Sequence, residues 1–246
     1  MNSWQRLLGV VLVAAAGFTA AAAHAQRYAV ISLIGDRMQI AYASGVEGQP
    51  VDRITRRYVA LDDTTIDRAA LLAANDKLRE LVPGSDPVLL QAFDRTLFDT
   101  SAGTASVIEW VRQTVKDQKG TKVTRALIVA KTTYDGVPAL QKPFVGSGTL
   151  EGVGFFVGRT PPATGMDPNS AGPGFLSPFA YFEVSVVDLN SGRVLRSERG
   201  LASDLLSASG TDTGNPWDAL SGQQKVKKLT DMVRAELGMV MPKLLK

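Results

Sequence analysis

The sequence predicts an α+β fold, a mixed α/β arrangement in which one domain packs a mixed or antiparallel sheet on helices. Three observations predict it. Short β-branched and aromatic runs occur in both halves of the chain, with helical-period stretches between them and at the end. These strands and helices do not alternate as strict βαβ units, which argues against a doubly wound sheet. The 246 residues contain no cysteine, so the fold must rest on an apolar core without disulfide staples.

Before the first strand lies a segment of different character. Arg6 is its one charged side chain, Leu7 to Ala23 carries none, and Ala23-His24-Ala25 precedes Gln26. A basic start, an apolar middle and a small-x-small end describe a secretory signal peptide, 1–25, with cleavage expected between Ala25 and Gln26. Of the 17 uncharged residues from Leu7, seven are alanine, and the stretch is too short and too weakly lipophilic for a good membrane span. No cysteine follows that could carry a lipid, so no stable anchor is expected after cleavage. The expected location is the periplasm of a Gram-negative envelope, and the expected mature domain is 26–246.

Tyr28–Leu33 is a short apolar, β-branched run, Gly35-Asp36 is a turn signal, and Arg37–Tyr42 alternates polar and apolar; together they read as a β-hairpin. After the Gly/Pro loop 44–50, Ile54–Leu61 supplies a third strand. The period then changes. Thr64 or Thr65 can cap a helix whose face carries Ile66, Ala69, Ala70, Ala73, Leu78 and Leu81, stopped by Pro83-Gly84. Ser85-Asp86-Pro87 reads as the start of a second helix, with Val88, Leu89, Ala92, Phe93 and Leu97 as its stripe. A third spans about 103–119, burying Val107, Ile108, Val111 and Val115, with Trp110 beside them.

Arg125–Ala130 is apolar throughout after its arginine and reads as a central strand. Gly152–Val157 reads as another. Eight of the twenty residues in Arg159–Pro178 are proline or glycine, which predicts a long surface loop. Phe179–Leu189, the turn Asp188–Gly192 and Arg193–Glu198 form a second hairpin. Asn215-Pro216 then opens the last helix, whose stripe of Val226, Leu229, Met232, Val233, Leu237 and Val240 runs to about Pro242.

Composition prunes the chemistry. His24 is the one histidine, and it leaves with the signal. The mature chain therefore lacks the residues for Ser-His-Asp and Cys-His triads, His/Cys zinc sites, haem ligation by His or Cys, and iron–sulfur clusters. Its 26 basic and 24 acidic residues leave +2, which predicts no nucleic-acid binding and no strong attraction to an anionic membrane. Chemistry by carboxylates, by Ser–Lys pairs or by oxygen-ligated metals survives.

The candidates for such chemistry have structural readings that fit better. Gly146 to Gly154 is glycine-rich but precedes a strand, where no helix N-terminus could hold a phosphate. Asp62-Asp63 stands where acids cap a helix. Asp99, Asp135, Asp167 and Asp188 sit in loops and turns without a calcium-loop pattern. Ser221 and Lys225 are four apart and lack the S-x-x-K signature. No catalytic residue, metal or cofactor is expected.

One aromatic group stands out around the long loop: Phe155, Phe156, Phe175, Phe179 and Tyr181, with Phe182 beside them. If their flanks are strands, alternate rings point to opposite faces. Both outcomes are open here, two-sided burial or an exposed patch for a protein or glycan partner.

Tyr181-Phe-Glu-Val-Ser-Val-Val-Asp-Leu-Asn-Ser-Gly-Arg-Val-Leu195, followed by an amphipathic helix, resembles the closing hairpin and helix of a group of envelope domains. That group includes the amino-terminal domain of TolB, the curli secretion lipoprotein and the lipoprotein activators of penicillin-binding proteins. The resemblance implies an exported, non-catalytic binding or assembly module with a protein or glycan partner. The alternative is a carboxylate-dependent periplasmic hydrolase, which would need two facing carboxylates about 5–10 Å apart in a concave pocket.

Overall fold

A computed structural model describes residues 27–35, 37–44, 53–61, 64–99, 103–116, 123–140, 142–143, 149–159, 174–207 and 215–245. The expected signal peptide with its cleavage site at Ala25 and Gln26 lies outside them, as do Asp62-Asp63, Asp167 and most of the long loop. The first half holds β1 (Tyr28–Leu33), β2 (Arg37–Ser44), β3 (Arg53–Ala60), α1 (Thr65–Leu81), β4 (Val88–Leu90) and α2 (Gly103–Lys116). Next come β5 (Arg125–Lys131) and the two-residue strands β6 (Thr133–Tyr134), β7 (Gly136–Val137), β8 (Lys142–Pro143) and β9 (Leu150–Glu151). The chain ends with β10 (Val153–Arg159), β11 (Gly174–Asp188), β12 (Arg193–Ser203), β13 (Leu206–Ser207) and α3 (Gly222–Leu244).

The fold class is α+β, as the sequence predicts, and its spine is the 15-residue β11. Along one edge β11 pairs β12 and, near its start, β13. Along the other it pairs antiparallel first with β10, through Gly174–Ala180, and then with β5, through Phe182–Asp188. The sheet therefore forks. One arm continues β10–β2–β3, the other β5–β1–β4. Three backbone bonds close the crotch of the fork: Thr132 N to Tyr181 O, Tyr181 N to Gly152 O, and Gly152 N to Thr132 O. Gly152 has φ +66° there, a conformation that a side chain would strain.

The fork corrects the expected first hairpin. β1 pairs β4 and β5 in parallel, whereas β2 pairs β10 and β3, so the two strands belong to different arms. Gly35 turns the chain across the crotch rather than back on itself. There the buried Asp67, in the first turn of α1, accepts hydrogen bonds at Oδ1 from Ser32 Oγ (2.6 Å), Ile34 N (3.0 Å) and Gly35 N (3.3 Å). A Cβ on Gly35 would stand 2.9 Å from Asp67 Oδ2, so the close approach requires glycine.

Three further expectations are corrected. Residues 85–97 form no helix: Val88–Leu90 pairs with β1, and Arg95–Phe98 is a single 3-10 turn capped by Asp94. Tertiary pairing outweighs helical spacing in so short a run. The last helix starts at Gly222 rather than at Asn215. Asn215 caps a separate 3-10 turn, Pro216–Ala219, and Ser221 with Gln224 forms the capping box of α3, which runs past Pro242 to Leu244. Finally, the expected loop 159–178 is too long. Arg159 ends β10 and Gly174–Pro178 begin β11.

Pro178 is tolerated in an internal strand for a definite reason. Its carbonyl accepts from Asp204 N at 3.1 Å, and in an antiparallel strand the nitrogen faces the same edge as the carbonyl. That edge is where pairing breaks between Ser203 and Leu206, so no acceptor lacks a donor.

Helices cover the sheet unequally. α1 and α3 pack together on one face, where Leu78, Leu229, Val233 and Leu237 meet Val30, Leu127, Phe155 and Phe182. On the opposite face α2 covers the β5–β1–β4 arm, through Val107, Ile108 and Val111 against Ala29, Ile31 and Ile128. Among the described residues the other arm has no α-helix on that face. Its cover is the segment from Tyr134 to Leu140. β1 is thus buried on both faces along its whole length, which explains its unbroken apolar run.

Candidate functional site

The aromatic group that the sequence singles out is core. Phe155, Phe156, Phe179 and Tyr181 are buried, and Phe175 is 9% exposed. The exposed-patch outcome is therefore corrected in favour of two-sided burial. Phe155 faces α3's side of the sheet, edge-on to Trp217 at 5.7 Å. Phe156, Phe175, Phe179 and Tyr181 face the other side, with Phe179 stacked on Tyr181 at 5.0 Å. The Tyr181 hydroxyl donates to Gly136 O at 3.0 Å, and burial pushes its phenol well above the ordinary range.

Three of these rings explain the glycines among them. Gly154 pairs Phe179, Gly158 pairs Phe175 and Gly200 pairs Phe182 across neighbouring strands. A Cβ would come within 2.8 Å of the ring at Gly154 and Gly200, and within 2.5 Å at Gly158. Each ring lies over the partner glycine, so Gly154, Gly158 and Gly200 are packing positions; Gly146 and Gly148 lie outside the described residues.

A different place offers chemistry. At the carboxyl ends of β1 and β5, between the crotch of the fork and the start of α2, lies a crevice of about 330 Å³. Parallel strands leave such crevices where their neighbours diverge, and ligands favour them. Its polar lining is Asp99, Thr104, Lys131, Thr132, Thr133 and Glu183. Its apolar wall includes Leu33, Phe98, Val107 and Ile128. Glu183 on β11 stands 3.7 Å from Arg199 and accepts from Ser185 Oγ at 3.4 Å. Lys131 is 7% exposed and its stem packs beside Gly152.

Of the polar residues of the crevice the sequence reading singles out only Asp99 as a candidate. The signal for the rest is the abrupt change from the apolar strand 126–130 to Lys131-Thr132-Thr133, polar groups at a strand's carboxyl end. It is visible only once β1 and β5 are known to run parallel.

The remaining candidates serve structure. Asp135 accepts from Thr149 Oγ1 at 2.8 Å. Asp188 accepts from Asn190 N and Ser191 N in the hairpin turn. Ser221 caps α3, while Lys225 donates to Leu220 O and lies 4.2 Å from the centre of the Trp217 ring. Burial lowers the Lys225 ammonium's pKa, against an opposing pull from Asp218.

Asp94, Asp188 and Asp204 become stronger acids. The chief causes are the hydrogen bonds from the Thr96 side chain, the Ser191 backbone and the Lys228 side chain respectively. None of the three lines the crevice. Among the described residues no group of three or more metal-ligating side chains gathers, and no helix is long and apolar enough to cross a membrane.

No family model matches the chain, and no curated protein matches it. Solved structures do. One is a PelC dodecamer from Paraburkholderia phytofirmans, 13% identical over 86% of each chain, with a TM-score of 0.31. A second is a neuraminyllactose-binding hemagglutinin homolog from Helicobacter pylori, 9% identical over 91% of this chain and 87% of that one, TM-score 0.36. A third is a Xanthomonas campestris protein assigned to DUF330, 11% identical over 86% and 83%, TM-score 0.24. At these scores the likenesses assign this chain neither a function nor a partner.

Proposed function

We propose that the protein is an exported, non-catalytic binding module of the bacterial envelope, which holds a protein or glycan partner through a group seated in the crevice. The observation that carries this reading is the crevice itself: an amphipathic recess at the carboxyl ends of two parallel strands. At about 330 Å³ it stands at the small end of the range for ligand sites, about 300–1,000 Å³. It suits a projecting group rather than a whole chain. The signal-like start and the closing hairpin and helix, similar to those of envelope domains, support export and assembly. A protein partner is favoured also by the unpaired edges of β3, β4 and β12, each paired on one side only among the described residues.

The rival hydrolase can draw on Asp99 and Glu183, which line the same crevice.

The test is photo-crosslinking in living cells from the crevice rim at Thr133 and, as control, from exposed Met239 on α3. One envelope adduct from position 133, absent from position 239, is the expected result. Equal labelling from both positions, or a protein left in the cytoplasm, overturns the reading. A hydrolytic activity lost on Asp99→Asn would decide for the enzyme.

A further inference from the structure

We infer that a recess between the first turns of α1 and α3 binds a phosphate group. It lies on the opposite face of the sheet from α2, and the inference is independent of what the crevice holds.

Two helices run side by side here in the same direction. Thr65, the first residue of α1, shares the recess with Gly222 and Gln223, the first two of α3. Further along, a Cβ at Gly238 of α3 would stand 3.8 Å from Lys77 Cε on α1. Parallel neighbours bring like ends of their dipoles together, so two positive ends lie at one space. The two starts are finished differently. Ser221 and Gln224 close α3 with a capping box, whereas the Thr64 side chain makes no cap hydrogen bond at α1.

A buried hydroxyl is the independent sign of a ligand. Thr230 is 7% exposed and lines the recess, and its Oγ1 has no hydrogen-bond partner among the described residues. A helical threonine can return its hydroxyl to a carbonyl one turn back, as Thr114 in α2 does to Trp110 O at 2.9 Å. Thr230 does not. A buried polar group left unpaired costs stability, so it marks a place where another group completes the pairing.

Charge decides the sign of that group. Lys227 and Arg234 line the recess with a single acid, Asp231. Asp231 holds Lys227 at 2.5 Å and stands 4.0 Å from Arg234, which leaves one positive charge in excess. Together with the helix starts, this excess favours an anion.

Shape decides which anion. Donors converge from the start of α1 and from Gln223, Thr230 and Arg234 along α3. A carboxylate offers two oxygens in one plane, whereas a phosphate offers three or more in a tetrahedron and meets donors from several directions. At about 540 Å³ the recess also has room for the body that a phosphate ester carries, with Val226 as its apolar ground.

The experiment is calorimetric titration and thermal unfolding of the purified protein with sodium phosphate, against sodium acetate at equal ionic strength. Phosphate should bind one to one and raise the melting temperature by mass action. Acetate should bind at least tenfold more weakly. Thr230→Val keeps the shape and removes the hydroxyl. Without phosphate it should melt higher than the unaltered protein, and it should bind phosphate at least fivefold more weakly. A hydroxyl with a structural role alone would not move that affinity. Arg234, 52% exposed, tolerates replacement, and Arg234→Gln should weaken phosphate tenfold. Flotation with phosphatidylcholine vesicles, with and without phosphatidic acid, identifies the source. Capture by phosphatidic acid that Arg234→Gln abolishes means a lipid head group; titration by phosphate without capture means a soluble phosphate.

Acetate binding within threefold of phosphate overturns the inference. So does a phosphate affinity that stays within twofold in either variant. Failure to bind phosphate at millimolar concentration, with no capture by phosphatidic acid vesicles, overturns it as well.

Discussion

Asp67 would pass in the sequence for an ordinary first-turn acid, placed to meet the positive end of α1. In the protein it is buried, and one of its oxygens accepts from three donors at the end of β1. Asp67→Ala should leave the Ser32 hydroxyl and two amides unpaired, at a cost of about 3 kcal/mol. Asp67→Asn retains an acceptor oxygen and should cost less. Urea unfolding of the two variants checks the order.

Asp204 makes the corresponding case at the surface, where Lys228 Nζ lies 2.6 Å from Oδ2 and holds the folded carboxyl below its ordinary 3.8. A carboxyl more acidic in the folded state adds stability above its unfolded pKa and loses it as pH falls through the folded one. Asp204→Asn should therefore flatten the loss of stability below about pH 4 and leave the slope near neutrality unchanged, as read by melting temperature against pH.

At the scale of the element, the cross-strand pairs of phenylalanine and glycine separate two kinds of tightness. A Cβ at Gly154 would stand 2.0 Å from Gln39 O, a backbone atom fixed in β2. At Gly158 the near atoms all belong to the Phe175 ring. Gly154→Ala should thus cost about 3 kcal/mol or more, beyond repair by any change at Phe179. Gly158→Ala should be partly repaired by Phe175→Leu, the double variant being more stable than the two single costs predict by about 1 kcal/mol. Chemical denaturation of the four proteins measures both.

Elements whose own pattern decides them were legible in the sequence: α1, α2, the apolar β5, and the β11–β12 hairpin turning at Asn190-Ser191-Gly192. β4 was not, because Val88–Leu90 has a strand's identity only through its pairing with β1. The start of β11 was hidden too, since proline and glycine weigh against a strand until Pro178 is seen beside a break in the edge. The crevice required pairing partners more than fifty residues away, and local pattern carries no information about those.

For the molecule as a whole the fork sets a hierarchy. β11 is hydrogen-bonded along both edges, whereas β3 and β4 close their arms with one edge open among the described residues. Amide hydrogen exchange should be slowest in β11 and the β5 residues paired to it, and faster in β3 and β4, because local opening begins where fewest contacts must break. A uniform exchange rate across the sheet would show that the arms do not open separately. The fork also governs the order of assembly. Met38 waits for Val153, 115 positions onward, and Tyr28 for Arg125, 97 positions onward, while Asp188 meets Arg193 almost at once. Distant pairing of this kind slows folding. Until β5 is in place the chain carries Tyr28–Leu33, six apolar or weakly polar residues destined for complete burial, as an unpaired strand. Self-association of that segment competes with folding. The arrangement that makes the crevice thus ties the yield of folded protein to how dilute, or how well chaperoned, the new chain is.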